Sequence, residues 1–228
     1  MSLESIRKPK RIWDLPTRIF HWALLVCVVG LVITDKVGGN ALNVHELLGY
    51  AVLTLVAFRL LWGLVGGRWS RFVRFVPSWR RLRAYVLGKE PSPAGHNPLG
   101  ALSVLAMLTV LALQAISGLF IDDEIAFTGP LYAKVSSFWV ELASDYHTDV
   151  GQVLLLGLVA LHVLAIGWHV HRHDKNMVRA MVHGDQDVAD EVPSSRDDWL
   201  TRSWALVVFL ACALGVKWLV SLGTMAAP

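Results

Sequence analysis

The sequence predicts an all-α membrane protein, and three observations lead to that fold class. Of its 228 residues, 54% are hydrophobic and only 17% are charged, whereas a soluble domain carries about 25% charged residues. Five apolar stretches of about 16 to 23 residues approach the ~20 residues that a helix needs to cross a ~30 Å hydrocarbon core. Ten tryptophans are present, and tryptophan gathers at membrane interfaces. A chain of this length has too little polar surface to enclose five such helices in water.

The predicted helices follow one another along most of the chain. They cover residues 19–34, 47–65, 99–121, 150–170 and 204–222. A basic segment precedes the first helix without a small-residue cleavage site, so we expect this helix to remain as an anchor. Residues 184–200 are polar and predict a linker. We therefore expect a four-helix domain over residues 1–183, the linker, and an additional C-terminal transmembrane helix within residues 201–228.

Lysine and arginine are distributed unevenly among the predicted loops. Seventeen of the 21 basic residues fall on one side of the membrane and two on the other, while Arg59 and Lys217 lie within helices. By the positive-inside rule, the N-terminus lies in the cytoplasm and the C-terminus on the outer side. The net charge of +3 therefore reflects topology, and no nucleic-acid partner is expected.

Four histidines interrupt the apolar helices, namely His21, His45, His147 and His162. Ionisable groups in membrane spans are costly unless they are paired or bind something, and neutral imidazole is a good metal ligand. The predicted topology places His21 and His162 at the inner level of the bilayer. It places His45 and His147 at the outer level, roughly 22 Å of helix away along the fourth span. Two histidines per level predict two b-type haems, each held by a histidine pair.

Glycine and cysteine positions refine this prediction. Gly49 and Gly151 each lie one turn from an outer histidine, where they would leave room for a flat macrocycle. Small residues serve helix packing equally often in membranes, so both roles stay open for these glycines. Cys27 and Cys212 belong to no Cys-x-x-Cys-His motif, which excludes covalent c-type haem attachment.

Four motifs occur in order over the first four predicted helices. They are Arg-Ile-Trp-Asp-Leu-Pro-Thr-Arg-Ile-Phe-His-Trp (residues 11–22), Phe-Arg-Leu-Leu-Trp-Gly (58–63), Gly-His-Asn-Pro-Leu-Gly (95–100) and Asp-Asp-Glu-Ile-Ala-Phe-Thr-Gly-Pro-Leu (122–131). Together they resemble the bacterial cytochrome b-561 family. That family includes the cytochrome b subunits of nickel-iron hydrogenases and is more distantly similar to the cytochrome subunit of membrane formate dehydrogenases. The resemblance covers roughly residues 10 to 183 and leaves the fifth helix outside.

The resemblance implies a four-helix bundle in the bacterial inner membrane, with two b haems that pass electrons between membrane quinone and a protein partner. It assigns His21 and His162 to the inner haem. It assigns His45 and His147 to the outer haem. The fourth-helix ligands of the family are more usually fourteen residues apart, so the spacing of fifteen here implies a local bulge or a different ligand. His169 is the rival of His162 for the inner haem, and we prefer His162.

Three further side chains complete the predicted site. Arg59 is expected either to neutralise an inner-haem propionate or to extend to the inner interface. His96 and Asn97 begin the third helix on the inner side, where they could contact a quinone. The alternative for Asn97 is a helix N-cap ahead of Pro98 at the first helical position.

The predicted function is transmembrane electron transfer between quinone on the inner side and a periplasmic redox partner such as a c-type cytochrome. Both haems would have filled axial positions, which suits electron transfer rather than bond-making at iron. One alternative is the membrane-anchor cytochrome b subunit of a nickel-iron hydrogenase or another dehydrogenase. A second alternative is a haem-free transporter of metal ions or protons. The C-terminus would be periplasmic, and a homodimer remains open.

Overall fold

The computed structural model of the protein describes residues 7–89, 94–123, 127–173 and 177–224, which are mostly helical. In chain order the elements are β1 (Arg7–Arg11), α1 (Leu15–Val37), α2 (Ala41–Val65), α3 (Phe72–Phe75), α4 (Trp79–Val86), α5 (Pro98–Ser117), α6 (Ser137–Asp145), α7 (Gln152–His173), α8 (Met177–His183), β2 (Asp185–Ala189) and α9 (Trp199–Thr224). Within the described ranges, five helical segments are long and apolar enough to cross a membrane. The predicted helical membrane fold is confirmed.

The fourth membrane segment begins earlier than hydropathy indicated, at Ser137 instead of near residue 150. It consists of α6, a π-helical turn at Tyr146–Gly151, and α7, which follow one another directly. Glu141, Asp145 and Asp149 are exposed on this segment. These acidic side chains interrupt the apolar pattern, which is why the sequence placed this part of the helix in a loop.

A two-stranded antiparallel sheet, which hydropathy did not predict, joins the N-terminal segment to the region before α9. Strand β1 pairs with β2 in a register that runs from Arg7 opposite Ala189 to Arg11 opposite Asp185. Just beyond β2, Asp190 receives ion pairs from Lys8 at 2.7 Å and Lys10 at 2.8 Å. Part of the segment that we expected to be a polar linker is therefore ordered as a strand.

The start of α1 is fixed by Asp14, which is completely buried. Its carboxylate accepts a hydrogen bond from the backbone N–H of Thr17 at 2.9 Å, as an N-cap residue does. The same carboxylate accepts from the hydroxyl of Ser70 at 2.8 Å, and the indole N–H of Trp62 lies 3.3 Å away. A Cβ on Gly67 would lie 2.1 Å from this carboxylate, so only glycine permits the approach. This network anchors the end of the helix that carries His21.

The described chain groups into two compact units. The first combines Met1–His21, Arg59–Leu105 and Leu161–Leu206, and the second combines Trp22–Phe58, Ala106–Ala160 and Val207–Pro228. Buried residues of the first unit cluster at Ile12, Trp13, Ala180 and Val188. Those of the second unit cluster at Val52, Val56, Leu111 and Leu155. Each unit contains both members of one predicted histidine pair.

Candidate functional site

His45 and His147 lie side by side in the second unit. Their ring centres are 6.2 Å apart, and the ring planes meet at 73°. The Nδ1 atom of His45 lies 3.1 Å from the carbonyl oxygen of Leu31, and that of His147 lies 2.9 Å from the carbonyl oxygen of Gln114. A carbonyl can only accept, so each Nδ1 donates its proton. Each Nε2 therefore keeps a lone pair that can bind a metal ion.

A partly open pocket adjoins this histidine pair. Most of its wall is apolar, with a few polar side chains from Asp35, Glu46, Tyr50, Gln114 and Gln152. Cofactor sites commonly have this make-up, in which an apolar wall excludes water and a few polar groups fix the orientation of the ligand. Two of these groups pair on the same helix, since the hydroxyl of Tyr50 donates to the carboxylate of Glu46. The second unit thus offers an apolar space beside two available imidazole nitrogens.

The glycines near this pair serve different purposes. Gly49 lines the pocket, and a Cβ added to it would meet no atom within 4 Å. Gly151 is buried, and a Cβ there would lie 2.0 Å from the side-chain oxygen of Gln114. Gly49 therefore borders open space, whereas Gly151 allows two helices to approach each other. The sequence did not predict a role for Gly118, where a Cβ would lie 2.9 Å from Cε1 of His147. The only sequence feature that points to this glycine is its position at the end of an apolar stretch.

His21 and His162 form the second pair, within the first unit. Their ring centres are 6.5 Å apart and the planes meet at 51°. His169 has different neighbours, because its Nδ1 donates to the carbonyl of Ala165 at 3.0 Å and its Nε2 lies 3.5 Å from Nδ2 of Asn97. The structure thus brings His162 beside His21 and directs the rival, His169, towards the start of α5.

Both separations suit one metal ion held between two imidazoles. An imidazole nitrogen lies ~2 Å from a bound metal ion and the ring centre about 1 Å further, so two ligands on one ion have ring centres roughly 6 Å apart. The observed distances are 6.2 and 6.5 Å. By this measure the donor set of each pair fits the iron of a b haem, and the open space beside Gly49 adjoins the His45–His147 pair.

The π-helical turn at Tyr146–Gly151 accounts for the unusual spacing of His147 and His162. A π turn accommodates one more residue than an α-helical turn. Fifteen residues that include such a turn therefore orient side chains much as fourteen residues do in a regular helix. Of the two outcomes that the spacing implied, the structure shows the local bulge.

Arg59 is enclosed in the first unit and is only 3% exposed. Its guanidinium carbon lies 4.9 Å from the ring centre of Phe72 and 6.0 Å from that of Phe75. Its Nη1 atom is buried, and no described residue accepts a hydrogen bond from it. A buried N–H without an acceptor costs about 1–3 kcal/mol, and more when the group is charged. The guanidinium is therefore suited to an anionic group of a ligand.

Asn97 caps the first turn of α5. Its side-chain oxygen accepts a hydrogen bond from the backbone N–H of Gly100 at 2.7 Å, and Pro98 begins the helix. The N-cap arrangement that the sequence offered as the alternative for Asn97 is therefore present. The side-chain amide remains a donor, and it faces Nε2 of His169.

His96 lies between two aromatic rings in the first unit. Its ring centre is 4.7 Å from that of Trp13 and 4.6 Å from that of Phe75. Burial, together with the positive charge of Arg59, lowers the pKa of His96 to about 3. The imidazole is therefore neutral at physiological pH.

Several known proteins are similar to this chain. A family model described as prokaryotic cytochrome b561 matches residues 12–184. A "Probable Ni/Fe-hydrogenase 1 B-type cytochrome subunit" of Escherichia coli (strain K12) is 25% identical over 211 residues, which cover 76% of this chain and 88% of the relative. Proteins named "Probable Ni/Fe-hydrogenase B-type cytochrome subunit" are 22% identical in Bradyrhizobium diazoefficiens, over 78% of this chain and 86% of the relative, and 25% identical in Azotobacter vinelandii, over 83% and 94%. No solved structure matches. The family match includes all four paired histidines and ends before α9.

Proposed function

Because the chain belongs to the prokaryotic cytochrome b561 family, we propose that this bacterial membrane protein carries electrons through two b haems, one at each histidine pair. The observation that carries the proposal is the pair of ring-centre distances, 6.2 and 6.5 Å, each suited to one iron between two imidazoles. A b haem held by two histidines would supply one-electron transfer.

The side chains of the protein have distinct tasks in this proposal. His45 and His147 hold one haem through Nε2, and the Nδ1 hydrogen bonds to backbone carbonyls fix each ring and increase its basicity as a ligand. His21 and His162 hold the other haem. Arg59 offers its unpartnered Nη1–H to a propionate of that haem, in a charge-assisted hydrogen bond.

For the protein partner, the first candidate is a dehydrogenase subunit of the hydrogenase type. The relatives described above are named as B-type cytochrome subunits of Ni/Fe hydrogenases. The chain would then serve as the membrane anchor and electron carrier of a larger enzyme, with catalysis in another subunit. A soluble c-type cytochrome is the second candidate. It is favoured by the exposed acidic side chains of Glu141, Asp145 and Asp149, which would speed association with a basic protein.

Membrane quinone is the proposed partner on the side of the His21–His162 pair. A quinone carbonyl accepts hydrogen bonds, and the side-chain amide of Asn97 remains a donor after its oxygen has capped α5. His169 lies 3.5 Å from that amide, and because its Nδ1 proton goes to Ala165, its Nε2 is an acceptor suited to take a proton from the reduced quinol. The excess of lysine and arginine on this side supports a cytoplasmic orientation for it, with the chain in the bacterial inner membrane.

Haem analysis of the purified full chain tests the central proposal. We expect a reduced-minus-oxidised spectrum of the b type and about two haems per chain, since each bis-histidine site holds one haem. A preparation with less than one haem per chain would contradict the proposal and would favour a haem-free transporter. Nickel in a protein that copurifies would indicate a partner of the hydrogenase type. Covalently attached haem would indicate a c-type cytochrome.

A further inference from the structure

The connection between α2 and α5 carries a surface that electron transfer does not use. From Arg68 to Lys89 the chain contains seven basic residues and no acidic one. This stretch forms two short helices, α3 and α4, outside the membrane-spanning segments. The side chain of Ser78 caps α4 by accepting a hydrogen bond from the backbone N–H of Arg81.

The two sides of α3 differ in exposure. Phe72 and Phe75 face Arg59, and Phe75 is only 6% exposed. Val73, between them, is 83% exposed, and Arg74 is exposed as well. The two phenylalanines therefore fix α3 to the first unit, while a valine and an arginine remain uncovered on its other side.

Apolar and basic residues are also separated on α4. Trp79, Leu82 and Val86 are spaced at i, i+3 and i+7, which places them on one helix face. Trp79 is 78% exposed and Val86 is 64% exposed. Arg80 and Arg83 lie beside this face and are exposed. An apolar face bordered by arginines is typical of helices that lie in the plane of a membrane interface.

Three exposed arginines of this surface have no anionic partner among the residues that the structure describes. In that part of the chain, Arg74, Arg80 and Arg83 form no ion pair. In contrast, Lys8 and Lys10 of β1 both pair with Asp190. The three guanidinium groups are therefore available to anions from outside the chain, and phosphate groups are close at hand beside a membrane-spanning bundle.

We propose that α3 and α4 form a binding surface for anionic phospholipids of the adjoining leaflet. Trp79, Leu82 and Val86 enter the boundary between headgroups and acyl chains. Arg74, Arg80 and Arg83 bind the phosphate groups. The proposal requires a chain embedded in a membrane, but it does not depend on haem binding. Each arginine near an anionic membrane surface contributes about a fivefold gain in affinity.

Lipid counting on the full chain tests this proposal. The protein in a mild detergent is titrated with phosphatidylglycerol or phosphatidylcholine, and bound lipids are counted by native mass spectrometry. We expect wild-type protein to prefer phosphatidylglycerol, and the double variant R80Q/R83Q to bind it roughly 10- to 30-fold more weakly. The control R196Q changes an exposed arginine that already pairs with Asp198 and should bind as wild type does.

Two further measurements distinguish binding of a whole lipid from binding of phosphate alone. Trp79→Ser should weaken binding of both lipids, because it removes the apolar anchor and leaves every charge in place. Inorganic phosphate at matched ionic strength should not displace phosphatidylglycerol. Equal binding of the two lipids by wild type, unchanged binding in R80Q/R83Q, or tighter binding of an acidic oligonucleotide than of phosphatidylglycerol would overturn the proposal.

Discussion

A histidine within a membrane-spanning helix needs partners for both ring nitrogens, because unsatisfied polar groups are costly in hydrocarbon. In His45 and His147 the Nδ1 protons are donated to backbone carbonyls on neighbouring helices. The protein therefore sets the tautomer and orientation of each ring through its own contacts. The remaining requirement is a partner for Nε2, and the adjoining pocket provides space for one.

Single substitutions test how the histidines are paired. His147→Ala should remove one haem and spare the other, because the His21–His162 pair stays intact and lies in a different unit. His169→Ala should retain both haems, since that ring contacts Asn97 and Ala165 instead of His21. Haem content per chain and the reduced spectrum measure both outcomes. Loss of a haem in His169→Ala, or of both haems in His147→Ala, would contradict the assignment.

The pKa of His96 predicts how the stability of the fold depends on pH. Its pKa is about 3 in the folded chain, mainly because the surrounding side chains desolvate the imidazole, against about 6.5 in an unfolded chain. Between these values the unfolded chain binds a proton that the folded chain does not bind, so stability is lost as pH falls below 6.5, at up to ~1.4 kcal/mol per pH unit.

His96→Phe should therefore flatten the decrease of the thermal unfolding midpoint between pH 6.5 and pH 5, measured in detergent. Phenylalanine suits the space between Trp13 and Phe75. The control His171→Gln changes an exposed histidine and should keep the wild-type slope. Equal slopes in wild type and His96→Phe would show that His96 does not carry this dependence.

The carboxylate of Asp14 is expected to be among the most sensitive positions for stability. Asp14→Ala leaves the Thr17 N–H without its acceptor in a fully buried place and removes the carboxylate that accepts from the Ser70 hydroxyl, at a cost of roughly 2–4 kcal/mol. Asp14→Asn keeps one side-chain oxygen as an acceptor and should lose less. Chemical unfolding in detergent measures the difference, and similar stabilities of Asp14→Ala and wild type would contradict this role.

At the scale of elements, the π-helical turn lets the fourth membrane segment carry an additional residue without rotating its histidines. The turn covers Tyr146–Gly151, and regular helix continues on both sides. A regular α-helix turns by ~100° per residue. An additional residue elsewhere would therefore displace His162 around the helix axis relative to His147.

Deletions within this segment test the role of the turn. Deleting Thr148 should convert the π turn to regular helix and retain both haems, because the side chains on either side keep their orientation. Deleting Gly157 should rotate His162 away from its partner by ~100° and remove a haem. Gly157 suits this control, since a Cβ there would meet no atom within 4 Å. Equal haem content in both deletion variants would contradict the proposed role.

At the scale of the whole molecule, the sequence predicted the parts that hydropathy governs. The five spans and the pairing levels of the histidines follow from apolar runs and from the polar residues that interrupt them. The β1–β2 sheet did not follow, because Arg, Lys, Asp and Gln dominate both strands and the paired residues lie about 180 positions apart. The contacts of His96 with Trp13 and Phe75 could not be predicted from the sequence either, because both aromatic residues are distant from it along the chain.

Membrane orientation is tested with single cysteines. In a background with Cys27 and Cys212 replaced by serine, Lys36→Cys should react with an impermeant thiol reagent added to intact spheroplasts. Arg196→Cys should react only after lysis, because the positive-inside rule places it in the cytoplasm. Both positions are exposed. The reverse labelling pattern would invert the predicted topology.

The pairing of β1 with β2 has a consequence for biosynthesis. Residues 7–11 leave the ribosome well before their strand partner at 185–189, which emerges only after α1 to α8 have been made. Non-local pairing of this kind forms late, because the intervening loop has to close first. The backbone of β1 therefore stays unpaired until β2 has been synthesised. We expect the basic side chains of β1, among them Lys8, Lys10 and Arg11, to prevent its unpaired edge from associating with other chains until the acidic β2 has been made.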